Sequence, residues 1–260
     1  FVAAVDWLAT QQVDIVVHSN NFLEGPFDGT SAPARAVDRA AAAGIMWFNS
    51  AGNYGEKHWT GLWADNDGDR VLDWPGTTPW TLTRQDNQAL TFHLSWRSPP
   101  GTAVSDIDLV LERRLDDGTW QAVAASTDRQ AAGAAPAERI NGVRPGTAGT
   151  FRLRAVLVSG PSPGGPLVLY SREDDLLLAL AGTARGSVPT PADAAGSISV
   201  GAIDWRGNSL ARYSSRGPTA DGRLKPEISA PTGTRLATPI GDERDVDALF
   251  GDGVLEVFEQ

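Results

Sequence analysis

Along the first part of the chain the spacing of apolar residues changes from helical to strand-like and back again. Phe1, Val5 and Leu8 share one helical face, with Val2 and Ala9 beside them, which predicts an amphipathic helix over residues 1 to about 12. Val13-Asp14-Ile15-Val16-Val17-His18 is β-branched and predicts a strand that ends in the polar segment Ser19-Asn20-Asn21. Phe22 to Thr30 reads as a loop, after which Ser31 caps a helix with an early proline, Pro33. Ala34 to Ala43 is alanine-dense, and Gly44 closes it. Ile45-Met46-Trp47-Phe48 is a short apolar run, as in a buried parallel strand, and it breaks into Asn49-Ser50-Ala51-Gly52-Asn53-Tyr54-Gly55. The order helix, strand, helix, strand predicts right-handed crossovers in a parallel sheet.

From about Trp80 the pattern alternates with a period of two. Ala89 to Trp96, Asp106 to Glu112 and Phe151 to Leu157 each read as half-buried strands, and Leu167-Val168-Leu169-Tyr170 and Leu176 to Leu180 are further candidates. Short strands bounded by Gly, Pro and Asp predict a β-sandwich of the jelly-roll kind. At Ser197 to Asp204 the chain returns to a strand of the parallel type, and Tyr213-Ser214-Ser215-Arg216-Gly217-Pro218 predicts a tight turn. Ile240 to Gln260 is acidic, with Asp245, Asp247 and Glu256, and reads as a loop with one short helix.

Composition narrows the class. A chain of 260 residues with 41% hydrophobic and 21% charged residues is a soluble globular type, long enough for one large domain or two modest ones. No apolar run is long enough to span a bilayer. Acidic residues exceed basic ones by 32 to 22, and the net charge of −10 argues against a nucleic-acid backbone as partner. The absence of cysteine excludes disulfides and thiol catalysis without fixing the compartment. The sequence starts at Phe1 without methionine or a signal-like segment, and so reads as part of a longer polypeptide.

Two stretches carry candidate chemistry. Asn53 would project from the end of a strand, where ligands of parallel sheets gather, with Gly52 and Gly55 allowing close approach. Its side-chain amide can donate to a developing oxyanion, although a Gly-Asn pair is also ordinary turn chemistry. Asp65, Asp67, Asp69 and Asp73, with Gly68 among them, alternate as the ligands of a hard cation such as calcium would. The match to an EF-hand loop is incomplete, because Arg70 stands at its glycine and Gly76 at its closing glutamate; the alternative is a solvated acidic turn. Trp96, Trp120 and Tyr170 could make a sugar- or peptide-binding platform or simply fill a core.

Ser50-Ala51-Gly52-Asn53, Ser197 to Asp204, Tyr213 to Thr219 and Leu224-Lys225-Pro226-Glu227-Ile228-Ser229-Ala230-Pro231 together, in this order, resemble the subtilisin-like serine proteases, the subtilase family (peptidase S8). The resemblance covers about residues 1 to 56 and 190 to 238. It implies a peptide-bond hydrolase acting through an acyl-enzyme, with Asn53 as the oxyanion-hole side chain. Ser50, Ala51 and Gly52 would line the pocket for the residue before the scissile bond. Ser19, Asn20 and Asn21 would pair with extended substrate, where the family has Ser, an apolar residue and Gly. Secretion, a polypeptide substrate and no cofactor for the chemistry follow from the same resemblance, with calcium in a structural role at most.

The Asp/His/Ser triad is missing from the sequence. None of His18, His58 or His93 is followed by glycine, as the family's base is, and no Asp-Ser/Thr-Gly turn precedes Asn53. Gly29-Thr30-Ser31-Ala32-Pro33 imitates the nucleophile segment but precedes Asn53, so Ser31 is expected to be a helix cap. Gly233-Thr234-Arg235 has arginine at the nucleophile's place. The expected architecture is α/β: a partial, three-layer, parallel-sheet subtilisin-like core (1–56 and 190–238), an inserted all-β sandwich (57–189) and an acidic tail (239–260). The expected function is a piece of a secreted serine endopeptidase. The alternative is a pseudoprotease or binding module whose sandwich engages protein or glycan.

Overall fold

A computed structural model describes residues 1–76, 81–85, 88–97, 104–130, 136–172 and 182–232. The chain divides into two compact units, one of Phe1–Leu23, Phe27–Gly55 and the residues from Arg185 onward, the other of Glu24–Pro26 and Glu56–Ala184.

The first unit is built on a parallel sheet. Helix α1 (Val2–Thr10) leads to β1 (Ile15–His18), and α2 (Ala32–Ala42) leads to β2 (Met46–Ser50). Ser31 caps α2, its Oγ accepting from the Ala34 N–H at 3.2 Å. The numbering of strands resumes here at β11 (Ser197–Asp204), β12 (Ser209–Leu210) and β13 (Ile228–Thr232), after the strands of the second unit. β1, β2, β11 and β13 run parallel side by side, and β12 turns back antiparallel on the end of β11. Ala34, Ala36, Val37 and Ala40 of α2 pack with Val5 of α1 and with Ile45, Trp47 and Ala194 into one core. Small residues along α2 let it lie close to the sheet, and burial of such a stripe holds the layer together.

Trp47 and Asn49 point to the helix side of β2, so Met46 and Phe48 point to the other. On that opposite face Ile15 and Val17 are 58% and 78% exposed, and Met46 and Ile228 about half exposed. A parallel sheet is ordinarily covered on both faces; the described residues cover one.

The second unit contains only strands among its described elements. β3 (His58–Gly61), β10 (Leu167–Ser171), β5 (Leu90–Trp96) and β8 (Ala137–Val143) form one four-stranded antiparallel sheet. β4 (Thr81–Arg84), β9 (Gly149–Ser159), β6 (Asp106–Arg114) and β7 (Trp120–Ser126) form another. Both contribute to a single core in which Leu90, Phe92 and Leu94 meet Ile107, Leu109, Leu111, Phe151 and Leu153. The alternation read from the sequence at β5, β6, β9 and β10 is therefore the inward face of each strand. β7 and β8 carry small or polar residues, which hid their period. His58 lies on β3 and is fully buried. The expected strand at Leu176 to Leu180 and the segments from Gly233 onward fall outside the described residues.

Candidate functional site

The parallel strands end together where Ser50-Ala51-Gly52-Asn53 leaves β2. The Ala51 N–H donates to the Val200 carbonyl at 2.9 Å, and the Gly52 N–H to Ser50 Oγ at 3.1 Å. Gly52 adopts φ +97°, and a Cβ there would lie 2.9 Å from both Pro189 Cδ and Ser215 Oγ, so only glycine fits. Gly55 is equally closed, since a Cβ would meet the Ser214 carbonyl at 2.5 Å. Between these glycines Asn53 is buried at 9% exposure, and its Oδ1 has no hydrogen-bond partner among the described residues.

What fixes Asn53 is the turn at Ser214-Ser215. The Ser215 N–H donates to the Gly52 carbonyl at 2.8 Å, the Tyr54 N–H donates to Ser215 Oγ at 3.0 Å, and the Gly55 N–H donates to the Tyr213 carbonyl at 2.8 Å. Ser214 Oγ in turn accepts from the Ala202 N–H on β11 at 3.0 Å. Sequence reasoning assigned this turn no chemistry. The signal was there in two adjacent buried hydroxyls beside a Gly-Pro, but not the partner they would reach.

Ser19, Asn20 and Asn21 continue from β1 beside this segment in the sheet order. Ser19 and Asn21 are half-buried, and Asn20 is exposed. The Phe22 N–H then donates to the Thr190 carbonyl at 2.7 Å, which pins the end of the segment. Asn49, a polar residue in an apolar run that sequence reasoning passed over, is 1% exposed and joins four groups. Its Oδ1 lies 2.8 Å from His18 Nδ1 and 3.3 Å from Trp47 Nε1; its Nδ2 donates to Asn21 Oδ1 at 3.2 Å and to the Ser50 carbonyl at 2.8 Å. Indole Nε1 can only donate, so the Asn49 oxygen must face Trp47, and His18 must carry its proton on Nδ1. Burial holds the His18 pKa below the ordinary histidine value, against the opposing effect of the Asn49 hydrogen bond.

Ser31 also bonds Thr190, Oγ to Oγ1 at 2.7 Å, and is committed to capping α2. Nearby, Asp193 is wholly buried, its Oδ2 accepting from the Gly29 N–H at 2.8 Å. Desolvation pushes its pKa up to about 6 despite that bond and the Arg223 guanidinium. His58 and His93 belong to the second unit. His58 Nδ1 donates to the Thr183 carbonyl at 2.7 Å, and His93 Nδ1 pairs with Glu24 at 3.0 Å.

In the acidic loop, Asp65, Asp67 and Asp69 bring one carboxylate oxygen each within 4.8 Å of one another. Backbone N–H groups of Gly68, Arg70, Asp69 and Val71 donate to these carboxylates and set their directions. Asp73 stands outside that group and closes the loop by accepting from the Asn66 N–H and Nδ2 at 2.7 and 2.8 Å. Beside it opens a cleft of about 830 Å³ lined by Trp59, Leu62, Asn66, Asp67, Asp73 and Trp74. Trp96, Trp120 and Tyr170 do not form a platform. Trp96 and Tyr170 are buried, and Trp120, on the other sheet, lies under the Arg152 guanidinium at 4.4 Å.

A parallel sheet carrying two helices on one face, with a glycine-flanked asparagine at its strand ends, is an α/β arrangement. Residues 173–252 match the subtilase family, Peptidase_S8. Among solved structures, the CspB protease of Clostridium perfringens is similar over 86% of this chain and 49% of its own, with a TM-score of 0.53 and 16% identity. That likeness speaks for the fold, and the chain spans about half the length of the protease it matches. The CBM32-3 module of a family 31 glycoside hydrolase from the same organism matches 46% of this chain and 95% of its own, at a TM-score of 0.24 and 15% identity. The VP2 subviral particle of infectious bursal disease virus matches 50% and 33%, at 0.25 and 14%. Both scores are too low to carry an argument. The chain is subtilase-like, and no helix among its described residues is long and apolar enough to cross a membrane.

Proposed function

We propose that this chain supplies the oxyanion-stabilising side chain and part of the substrate groove of a secreted serine endopeptidase. In such an enzyme a serine attacks the peptide carbonyl, and the negative charge that gathers on oxygen is met by an amide already aimed at it. Asn53 takes that part here, with Ser50, Ala51 and Gly52 lining the pocket for the residue before the scissile bond and Ser19, Asn20 and Asn21 pairing with extended polypeptide. The observation that carries the proposal is the bracketing of Asn53 by Ser215 at the ends of parallel strands. A donor whose backbone is fixed before the reaction need not reorganise during it.

The Asp/His/Ser triad would come from elsewhere in the full-length protein. Ser31 is spent on a helix cap, and His18 has its Nδ1 proton committed to Asn49. On the same proposal the second unit is an inserted β-sandwich of the jelly-roll kind, and Asp65, Asp67 and Asp69 hold a structural calcium while Asp73 fastens the loop.

Labelling with a fluorophosphonate, read by intact mass, tests the proposal. The full-length protein should be labelled at a serine outside these 260 residues, and the isolated chain should stay unlabelled. In the labelled protein, Asn53→Ala should lower kcat by about a hundredfold or more, the size of effect established on subtilisin itself. No adduct on the full-length protein would reject the protease function, and an adduct on the isolated chain would send the search to Ser31.

A further inference from the structure

Position 21 holds asparagine beside the path proposed for the substrate backbone, and a side chain there must go somewhere. Its Oδ1 is taken by Asn49 Nδ2 at 3.2 Å. Asn49 lies on the helix side of β2 with Trp47 and is paired in register with His18 at the end of β1. All four hydrogen-bonding capacities of its carboxamide are used: His18 and Trp47 donate to the oxygen, and the nitrogen donates to Asn21 and to the Ser50 carbonyl. A buried amide with every group satisfied has one orientation, so it can impose one on its neighbours.

We infer that Asn49 is a positioning residue that draws the Asn21 side chain toward the helix side of the sheet and so keeps the path of an extended polypeptide open. The inference rests on the protease function proposed above. The same amide ties the Asn21 segment to Ser50, so one buried side chain sets the spacing of the two chain segments between which a polypeptide would lie. Phe22, held to Thr190, fixes the far end of the first segment, and His18 fixes the near end. Asn21 is thereby left with no free course toward the groove.

Asn49→Asp is the discriminating variant. It keeps the oxygen that accepts from His18 and Trp47 and removes both donors, to Asn21 and to Ser50. In the full-length protein it should raise KM for a peptide substrate about tenfold while kcat falls by less than about twofold, the mark of lost ground-state binding. In an Asn21→Gly background the same substitution should raise KM much less, because no side chain remains to be held and only the bond to Ser50 is lost. A KM unmoved by Asn49→Asp, or raised equally in the glycine background, overturns the inference. Backbone hydrogen exchange on the 260-residue chain gives a readout independent of activity. Asn49→Asp, and separately Asn21→Ala, which buries no new charge, should each speed exchange at residues 19–21 about tenfold or more. Unchanged exchange in Asn21→Ala overturns the inference even if Asn49→Asp fails to fold. A wild-type protein without peptidase activity rejects the protease function alone, and the exchange result still decides whether Asn49 holds the segment.

Discussion

Ser215 grips the chain on both sides of Asn53, donating its N–H to the Gly52 carbonyl at 2.8 Å and accepting the Tyr54 N–H on its Oγ at 3.0 Å. Ser215→Ala keeps the first bond and removes the buried hydroxyl that accepts from the Tyr54 N–H. The expected loss of stability is about 1–3 kcal/mol, measured by denaturant unfolding. In a full-length protein active on peptides, kcat should fall more than KM rises, because the donor to the oxyanion loses its fixed position. Ser215→Thr should restore most of both.

Two glycines with nearly the same φ and different surroundings separate strain from crowding. Gly52 (φ +97°) has Pro189 and Ser215 atoms 2.9 Å from a Cβ, whereas Gly44 (φ +95°) has nothing within 4 Å. Gly44→Ala should cost about 1–2 kcal/mol, the price of the left-handed conformation alone. Gly52→Ala should cost more by about 1–3 kcal/mol, as overpacking does. Equal losses in thermal unfolding would mean that the Pro189 contact yields freely.

Acid should act through His58 and Asp193 with opposite sign. Burial brings the His58 pKa down to about 4, below its ordinary 6.5, so unfolding of the second unit takes up a proton. The stability that His58 contributes should be full above pH 6.5 and decline as the pH falls toward 4, by up to about 3 kcal/mol. Asp193, raised from 3.8 to about 6, is charged in the folded first unit at neutral pH against its preference. Its contribution to the stability of that unit should rise as the pH falls from about 6 toward 3.8, by an amount of the same order and against the opposite contribution of His18, so the difference between wild type and Asp193→Asn reads it. Hydrogen exchange resolved by segment, comparing wild type with His58→Gln and with Asp193→Asn across pH, checks both signs; differences that move the same way with pH would contradict them.

The acidic loop makes a prediction about metal. If Asp65, Asp67 and Asp69 hold calcium, titration calorimetry on the chain should give a Kd of about 0.1–1 mM, the range of extracellular modules with few charged ligands. Chelation should then lower the unfolding temperature of the second unit, and Asp67→Asn should abolish the heat. Asp73→Asn, which acts on the closing bonds to Asn66, should weaken binding without removing it. No heat at millimolar calcium would leave the loop as a turn braced by its own backbone.

Elements whose burial follows a simple period could be read from the sequence. α2 announced itself by a capping serine, small residues and a closing glycine, and β5, β6 and β9 by alternation against one core. β7 and β8 were not legible, because Ala122, Ala124 and Asn141 give an alternating pattern nothing to contrast. At the site, Asn53 was found because its chemistry is local: one amide between two glycines. Ser215 and Asn49 were missed because their roles are relations across 161 and 28 residues, and a sequence shows the donor without showing the acceptor. Asp193 was missed for the same reason, since only the fold reveals that its carboxylate has left water.

The bare side of the parallel sheet has a practical meaning for anyone who handles this polypeptide by itself. Among the described residues, Ile15 and Val17 on β1, Met46 on β2 and Ile228 on β13 leave apolar surface on one side of the sheet open to water. Such a surface behaves like the headless tail of a detergent: it binds reporter dyes, favours self-association, and does so more strongly in sulfate than in chloride.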